Sequence, residues 1–347
     1  MHIINNREGT KSVMIRGRNM ERHLLVGNGI NIQFGGCDNY SNSAIIKRVI
    51  RNIEAGKYIA FTENSLTSQE QLDLLGGLVK IIDSIKSGKF SKYADGVFMN
   101  MELERIRRTY PDKSTIESVF MEDYFLAFEI LNNSFKEKDG EETNELDRKT
   151  MFDFLHHILV DGIYNDGKIN NVYKNAFLGL KRFFDGFTNI FTTNYDYNIE
   201  KIIYGSNTVC HLHGEFNRLS PRYDVNSRYY YAHKIECDKL IAKKVIDMNH
   251  VYSDTIMSWS WLDKYGELIE PDTKSKESLF TSISGQLEIL GLAPNNDEHL
   301  FLLINQNPKI TSVTYYYYAD TDRQEIRNHI TKSVTFRRVD RLWESLK

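Results

Sequence analysis

Three short segments of this chain combine proton-handling side chains with turn-forming residues. Thr192-Thr193-Asn194-Tyr195-Asp196 sets a carboxamide two positions before a carboxylate; the amide both donates and accepts hydrogen bonds, and the ionised carboxylate only accepts. His211-Leu212-His213-Gly214 offers two imidazoles, whose ordinary pKa of about 6.5 suits a general base near neutral pH. In Gly27-Asn28-Gly29, glycines let backbone amides approach an anion such as a diphosphate, and a helix beginning there favours negative charge. Each segment also has a plainer reading. Gly27–Gly29 fits an ordinary tight turn as well as a phosphate loop, because position 32 is Ile where a dehydrogenase fingerprint has its third glycine. Asp196 suits the N-cap of a following helix. Strand alternation puts His211 and His213 on one face, yet no third metal ligand stands at a helpful spacing, and a lone histidine is commonly a hydrogen-bonded structural residue.

The elements that must position these residues are strands running into turns. Arg22–Val26 is a short apolar run ending in Gly-x-Gly, the pattern of a buried strand turning into a helix. Thr188–Thr193 is β-branched and aromatic, and Thr208–His213, Gln286–Gly291 and Thr311–Ala319 read as further strands. Helical patterns cover Val172–Phe184, Asp196–Tyr204, Asp297–Asn305 and Arg323–Thr331. Strands alternating with helices predict a Rossmann-like, mostly parallel α/β sheet with helices on both faces, and ligands bind such sheets at the carboxyl ends of strands. Between the first strand and the rest, 37–175 reads as a large, mainly helical insertion. Its apolar spacing marks Ala44–Ile53, Gln71–Ile85, Glu102–Arg108 and Thr115–Leu131, the last with Ser114 and Glu117 at capping-box spacing. Lys136–Asp147 reads as an acidic, mobile loop. The core is therefore 20–36 plus 176–347, with 1–19 a polar extension. The insertion is read first as core packing and second as a lid or assembly surface.

Bulk composition narrows the classes. With 347 residues the chain is long enough to bury a sizeable core. Net charge is −3 with no long basic block, which argues against a dedicated nucleic-acid binder; the densest basic run, Lys86–Lys92, reads as a solvated turn. The first twenty residues have no apolar core of a secretory signal, and no apolar stretch is long enough to span a membrane. Cys37, Cys210 and Cys237 are far apart, which supports neither a zinc ribbon nor a disulfide framework. The expectation is a cytoplasmic, reduced protein.

Taken together and in this order, Gly27-Asn28-Gly29-Ile30-Asn31, Thr192-Thr193-Asn194-Tyr195-Asp196 and Leu212-His213-Gly214 resemble the motifs of the sirtuin superfamily. More narrowly, they are similar to the zinc-free bacterial NAD hydrolases of anti-phage defence. Ile289-Leu290-Gly291 through Asp297 resembles that family's fourth motif, with Leu292-Ala293 departing from its usual residues. The resemblance covers about 20–36 and 186–335. The chain lacks the paired-cysteine zinc module of the deacylating branch and its Pro-Asp-Phe-Arg segment.

The resemblance implies an NAD glycohydrolase that breaks the nicotinamide–ribose bond without a metal. Asn194 would hold the ribose hydroxyls or the attacking water, and His213 would be the general base. Asp196 would hydrogen-bond the nicotinamide carboxamide, with Thr193 and Tyr195 beside it. Gly27, Asn28, Gly29, Ile30 and Asn31 would wrap the diphosphate and adjoining ribose, and Gly291 would leave room for the adenosine ribose. An enzyme that depletes NAD must be held inactive until triggered, so the resemblance also implies a homo-oligomer and a separate partner, such as a HerA-type ATPase. Two rival readings stand beside this one: a non-catalytic NAD or ADP-ribose sensing module, and a protein deacylase or ADP-ribosyltransferase.

Overall fold

A computed structural model describes residues 21–59, 66–91, 96–139, 151, 154–155, 158–159, 161–204, 209–213 and 276–347. The expectations for 1–19, for the loop beyond Asp139, and for Lys92, Gly214 and Cys237 lie outside these residues. Six strands form one all-parallel sheet: β1 (Arg22–Val26), β2 (Asn189–Thr192), β3 (Val209–His211), β4 (Gly285–Leu290), β5 (Ile310–Tyr317) and β6 (Val334–Arg338), in the spatial order β3-β2-β1-β4-β5-β6. β1 lies at the centre, with Val26 paired to Thr192 on one side and to Leu290 on the other.

Alternation along the strands feeds two cores. Leu24, Val26, Ile190, Leu290 and Tyr316 enter one apolar cluster, while Leu25, Phe191, Ile289 and Tyr315 enter the other. Burial on both faces is what an all-parallel sheet with helical crossovers requires. The first core is covered by α1 (Gly29–Gly35) and the helices between β1 and β2, namely α2 (Cys37–Tyr40), α3 (Asn42–Glu54), α4 (Ser68–Lys86), α5 (Gly96–Thr109) and α6 (Met121–Asp139). It also takes α7 (Gly179–Phe184), α8 (Asn198–Ile203) and α12 (Val339–Leu346). The second core takes α9 (Lys276–Ser282), α10 (Glu298–Gln306) and α11 (Asp320–His329). The molecule is a Rossmann-like α/β fold with a helical segment between β1 and β2. Among the described residues, no helix is long and apolar enough to cross a membrane.

Local chemistry fixes several boundaries. Thr67 and Glu70 form a reciprocal capping box that starts α4. The expected start at Ser114 is corrected. The Ser114 amide donates to Asp83 Oδ1 at 3.0 Å, a tight 3-10 turn follows at Ile116–Ser118, and α6 begins at Met121, whose amide donates to Asn42 Oδ1. The expected single helix over Val172–Phe184 is also corrected. A 3-10 run, Lys168–Asn175, ends in extended backbone at Ala176 before α7. The break lets Phe177 pack edge-on against Phe34, with centroids 5.2 Å apart, and against Trp343 at 6.4 Å. Sequence patterning did not anticipate β6 and α12; Trp343 of α12 closes that aromatic cluster from the far end of the chain.

Candidate active site at the sheet's switch point

The chain leaves β1 to build β2 and β3 on one side, then crosses to build β4, β5 and β6 on the other. The order reverses between β1 and β4, and a cavity lies at the carboxyl ends of these strands, the location where doubly wound sheets bind ligands. The glycines of the first motif sit in that position, where close packing of the two loops requires them. The Gly27 amide donates to Leu290 O at 2.9 Å and the Gly29 amide to Gly291 O at 2.8 Å. A Cβ on Gly27 would lie 2.5 Å from Gly291 O, and one on Gly29 would lie 2.5 Å from Gly291 Cα. Gly291 itself has φ of 71°, a left-handed conformation that glycine adopts freely. The two loops are glycine-rich because they press against each other.

The second motif is held from beneath. The Thr192 hydroxyl donates to Val26 O at 3.0 Å and accepts from the Asn194 amide at 3.1 Å, joining the ends of β1 and β2. Asp196 accepts from Asn31 Nδ2 at 2.7 Å and from the Asn198 amide at 3.0 Å. The expected Asp196 N-cap is corrected: Tyr197 holds that position, and Asp196, one residue earlier, binds the first helical amide and ties the first motif to the second. Burial pushes the Asp196 carboxyl above its ordinary value, against the Asn198 amide and the Asn31 carboxamide, which pull it down. Burial also raises the Tyr195 hydroxyl well above its ordinary value, so it stays protonated. Asn194 is 5% exposed, and its Nδ2 has no hydrogen-bond partner among the described residues. Buried polar groups are nearly always satisfied, so an orphaned amide beside a cavity marks a place for a ligand.

The third motif corrects the expectation that the two histidines share a face. β3 ends at His211, so strand alternation does not reach His213. His211 turns toward α8: its Nδ1 donates to Asn194 O at 2.6 Å, and its Nε2 lies 2.7 Å from Glu200 Oε1. Gripped through both nitrogens, it supports the Asn194 backbone. His213 turns toward α10, where its Nε2 lies 3.2 Å from His299 Nε2 and 3.9 Å from Asp297 Oδ1.

These residues border a cavity of about 790 Å³, within the range of about 300–1,000 Å³ usual for small-molecule and cofactor sites. Of the residues expected from sequence, Asn28, Gly29 and Asn31 line it from the first motif, Thr193, Asn194, Tyr195 and Asp196 from the second, and His213 and Gly291 from the others. Gly27 and Ile30 do not. Gly27 packs on the β4 loop, and Ile30, 2% exposed, lies in the first core. The helical segment supplies one wall through Ser41, Asn42, Ile45 and Met121, and Tyr315, Tyr316 and Trp343 supply another. Sequence reasoning assigned no role to Asp297, which lines the cavity, or to His299 behind it. Asp297 closes the fourth motif and His299 stands two positions beyond it, but no spacing rule links His299 to a histidine 86 positions earlier. Compared with protein-family models, with curated proteins and with solved structures, the chain matches none.

Proposed function

We propose that this protein is an NAD glycohydrolase, releasing nicotinamide and ADP-ribose from NAD. The observation that carries the reading is the buried carboxamide nitrogen of Asn194, without a hydrogen-bond partner among the described residues, at the wall of a cavity that His213 also lines. The cavity opens where a sheet of this strand order binds nucleotides. Breaking the nicotinamide–ribose bond leaves the C–N electron pair on nicotinamide and positive charge on the ribose carbon. Such a step depends on orientation and charge placement more than on a strong nucleophile. Asn194 holds the ribose hydroxyls or the attacking water, and His213 takes the proton that the water loses as its oxygen bonds to the ribose carbon. Asn28, Gly29 and Gly291 border the part of the cavity left for the ADP moiety. Asp196 orders the second motif and meets the nicotinamide carboxamide. The same reading makes the protein a regulated effector of anti-phage defence. It acts as a homo-oligomer with a separate partner such as a HerA-type ATPase, because unrestrained NAD hydrolysis would harm the host cell.

The test is nicotinamide release from NAD by the purified chain. Asn194→Ala and His213→Ala should each lower the rate by about 10²–10⁴, the contribution of a positioned acid–base group, with folding preserved. NAD binding without release, alone or with candidate partners added, would sink the hydrolase reading in favour of a sensing module.

A further inference from the structure

We infer that His213, Asp297 and His299 form a binding site for a divalent transition-metal ion of the zinc class. The three residues are 2%, 3% and 1% exposed, and each offers a donor atom within 4.8 Å of the other two. Two imidazoles and one carboxylate are a donor set that suits zinc and its neighbours. The spacing of the two imidazoles suits them as well. Ligand bonds of about 2.0–2.1 Å in a tetrahedron put neighbouring donor atoms about 3.3–3.4 Å apart, and the two Nε2 atoms stand 3.2 Å apart, with Asp297 Oδ1 3.9 Å from the first of them.

The placement of Asp297 is a second, independent sign. It occupies the N-cap of α10, where an aspartate ordinarily turns its carboxylate onto the first amides of the helix. Here the side chain makes no capping hydrogen bond and lies toward His213. A carboxylate buried against two imidazoles is favoured when a cation sits among them. Both His213 and Asp297 reach the cavity, which leaves a coordination position open to water or a ligand, the arrangement of a three-ligand zinc centre. The competing arrangement is a single proton shared between the two Nε2 atoms, and the experiment separates the two.

The full chain, stripped with a chelator, is titrated with Co²⁺ and followed by visible absorption. The expected result is one equivalent bound per chain, with d–d bands of four-coordinate strength that Zn²⁺ displaces. Asp297→Asn keeps the shape of the side chain, His299→Ala removes a ligand, and both should abolish the bands while circular dichroism reports the fold. If His299→Ala fails to fold, Asp297→Asn alone decides. A wild-type chain with no such bands, or bands that survive the substitutions, would overturn the proposal, leaving the shared proton or a metal held elsewhere in the chain. One consequence rests on the hydrolase reading: a metal on His213 occupies the lone pair needed for the proton, so saturating Zn²⁺ should suppress nicotinamide release. The cobalt spectrum needs no NAD, so a failed hydrolase assay and a failed metal site are separate results.

Discussion

Replacing Gly29 with alanine tests whether the glycines of the first motif serve packing or ligand approach. The new Cβ would stand 2.5 Å from Gly291 Cα and 3.0 Å from Gly291 O, where carbon atoms ordinarily rest about 3.5–4.0 Å apart. The loops after β1 and β4 must then part by about 1 Å. The obstacle is backbone, pinned by the 2.8 Å bond from the Gly29 amide to Gly291 O and by the Val26–Leu290 register just before it. Overpacking of this kind costs about 1–3 kcal/mol, and weakening that hydrogen bond adds about 0.5–1.5 kcal/mol. Gly29→Ala should therefore destabilise the protein by about 2–4 kcal/mol. Gly291→Ala should do at least as much, since its φ of 71° adds left-handed strain of about 1–2 kcal/mol. Gly76→Ala is the internal control. Gly76 lies within α4, and a Cβ there meets nothing within 4 Å, so the substitution should stabilise by about 0.5–1 kcal/mol. Urea unfolding followed by fluorescence and circular dichroism measures all three. With a slope of about 3 kcal/mol/M, Gly29→Ala should lower the midpoint by about 1 M. An unchanged midpoint with weakened ligand binding would refute the packing argument and restore a phosphate-cradling role to the glycine.

Other residues offer equally direct tests. His211→Ala removes the support of the Asn194 carbonyl and should cost about 1–3 kcal/mol of stability; a loss of nicotinamide release equal to that of His213→Ala would overturn the assignment of the base. Arg105 is fully buried between Glu102 and Asp123, and Asp123 also accepts from the Tyr110 hydroxyl, so Asp123→Ala strands a buried guanidinium and should cost about 3–5 kcal/mol in thermal or urea unfolding. Burial holds the His23 imidazole below its ordinary value, against the Ser284 carbonyl and Glu21, which raise it. The unfolded chain therefore binds the proton more readily, so the stability from neutral His23 is present above about pH 6.5 and is lost as pH falls below that value. Urea midpoints at about pH 7.5 and pH 5.5 should show that decline in the wild type and less of it in His23→Gln; an equal decline in both would remove His23 as its source.

Much of the scaffold is legible in the sequence because it rests on short-range patterns. Ile190 and Phe191 of β2, and Ile289 and Leu290 of β4, are consecutive apolar residues that feed opposite cores, as buried parallel strands must. Their ends are marked by Thr-Asn and Gly, so the site's location at strand ends could be read without coordinates. Helices α3 and α4 follow from apolar spacing alone, since a helix with one dry face needs little more than period and caps. Tertiary structure decided the rest, wherever a contact bridges distant positions. Phe177 breaks a helix because Phe34 and Trp343 receive it. Gly27 and Gly29 must be glycine because the Gly291 loop arrives against them. His211 and His213 part company because β3 ends between them and two helices on opposite faces of the sheet, α8 and α10, offer Glu200 and His299 as partners. Periodicity describes a residue's own element, whereas partners across a sheet are set by the order of strands, which no local pattern encodes.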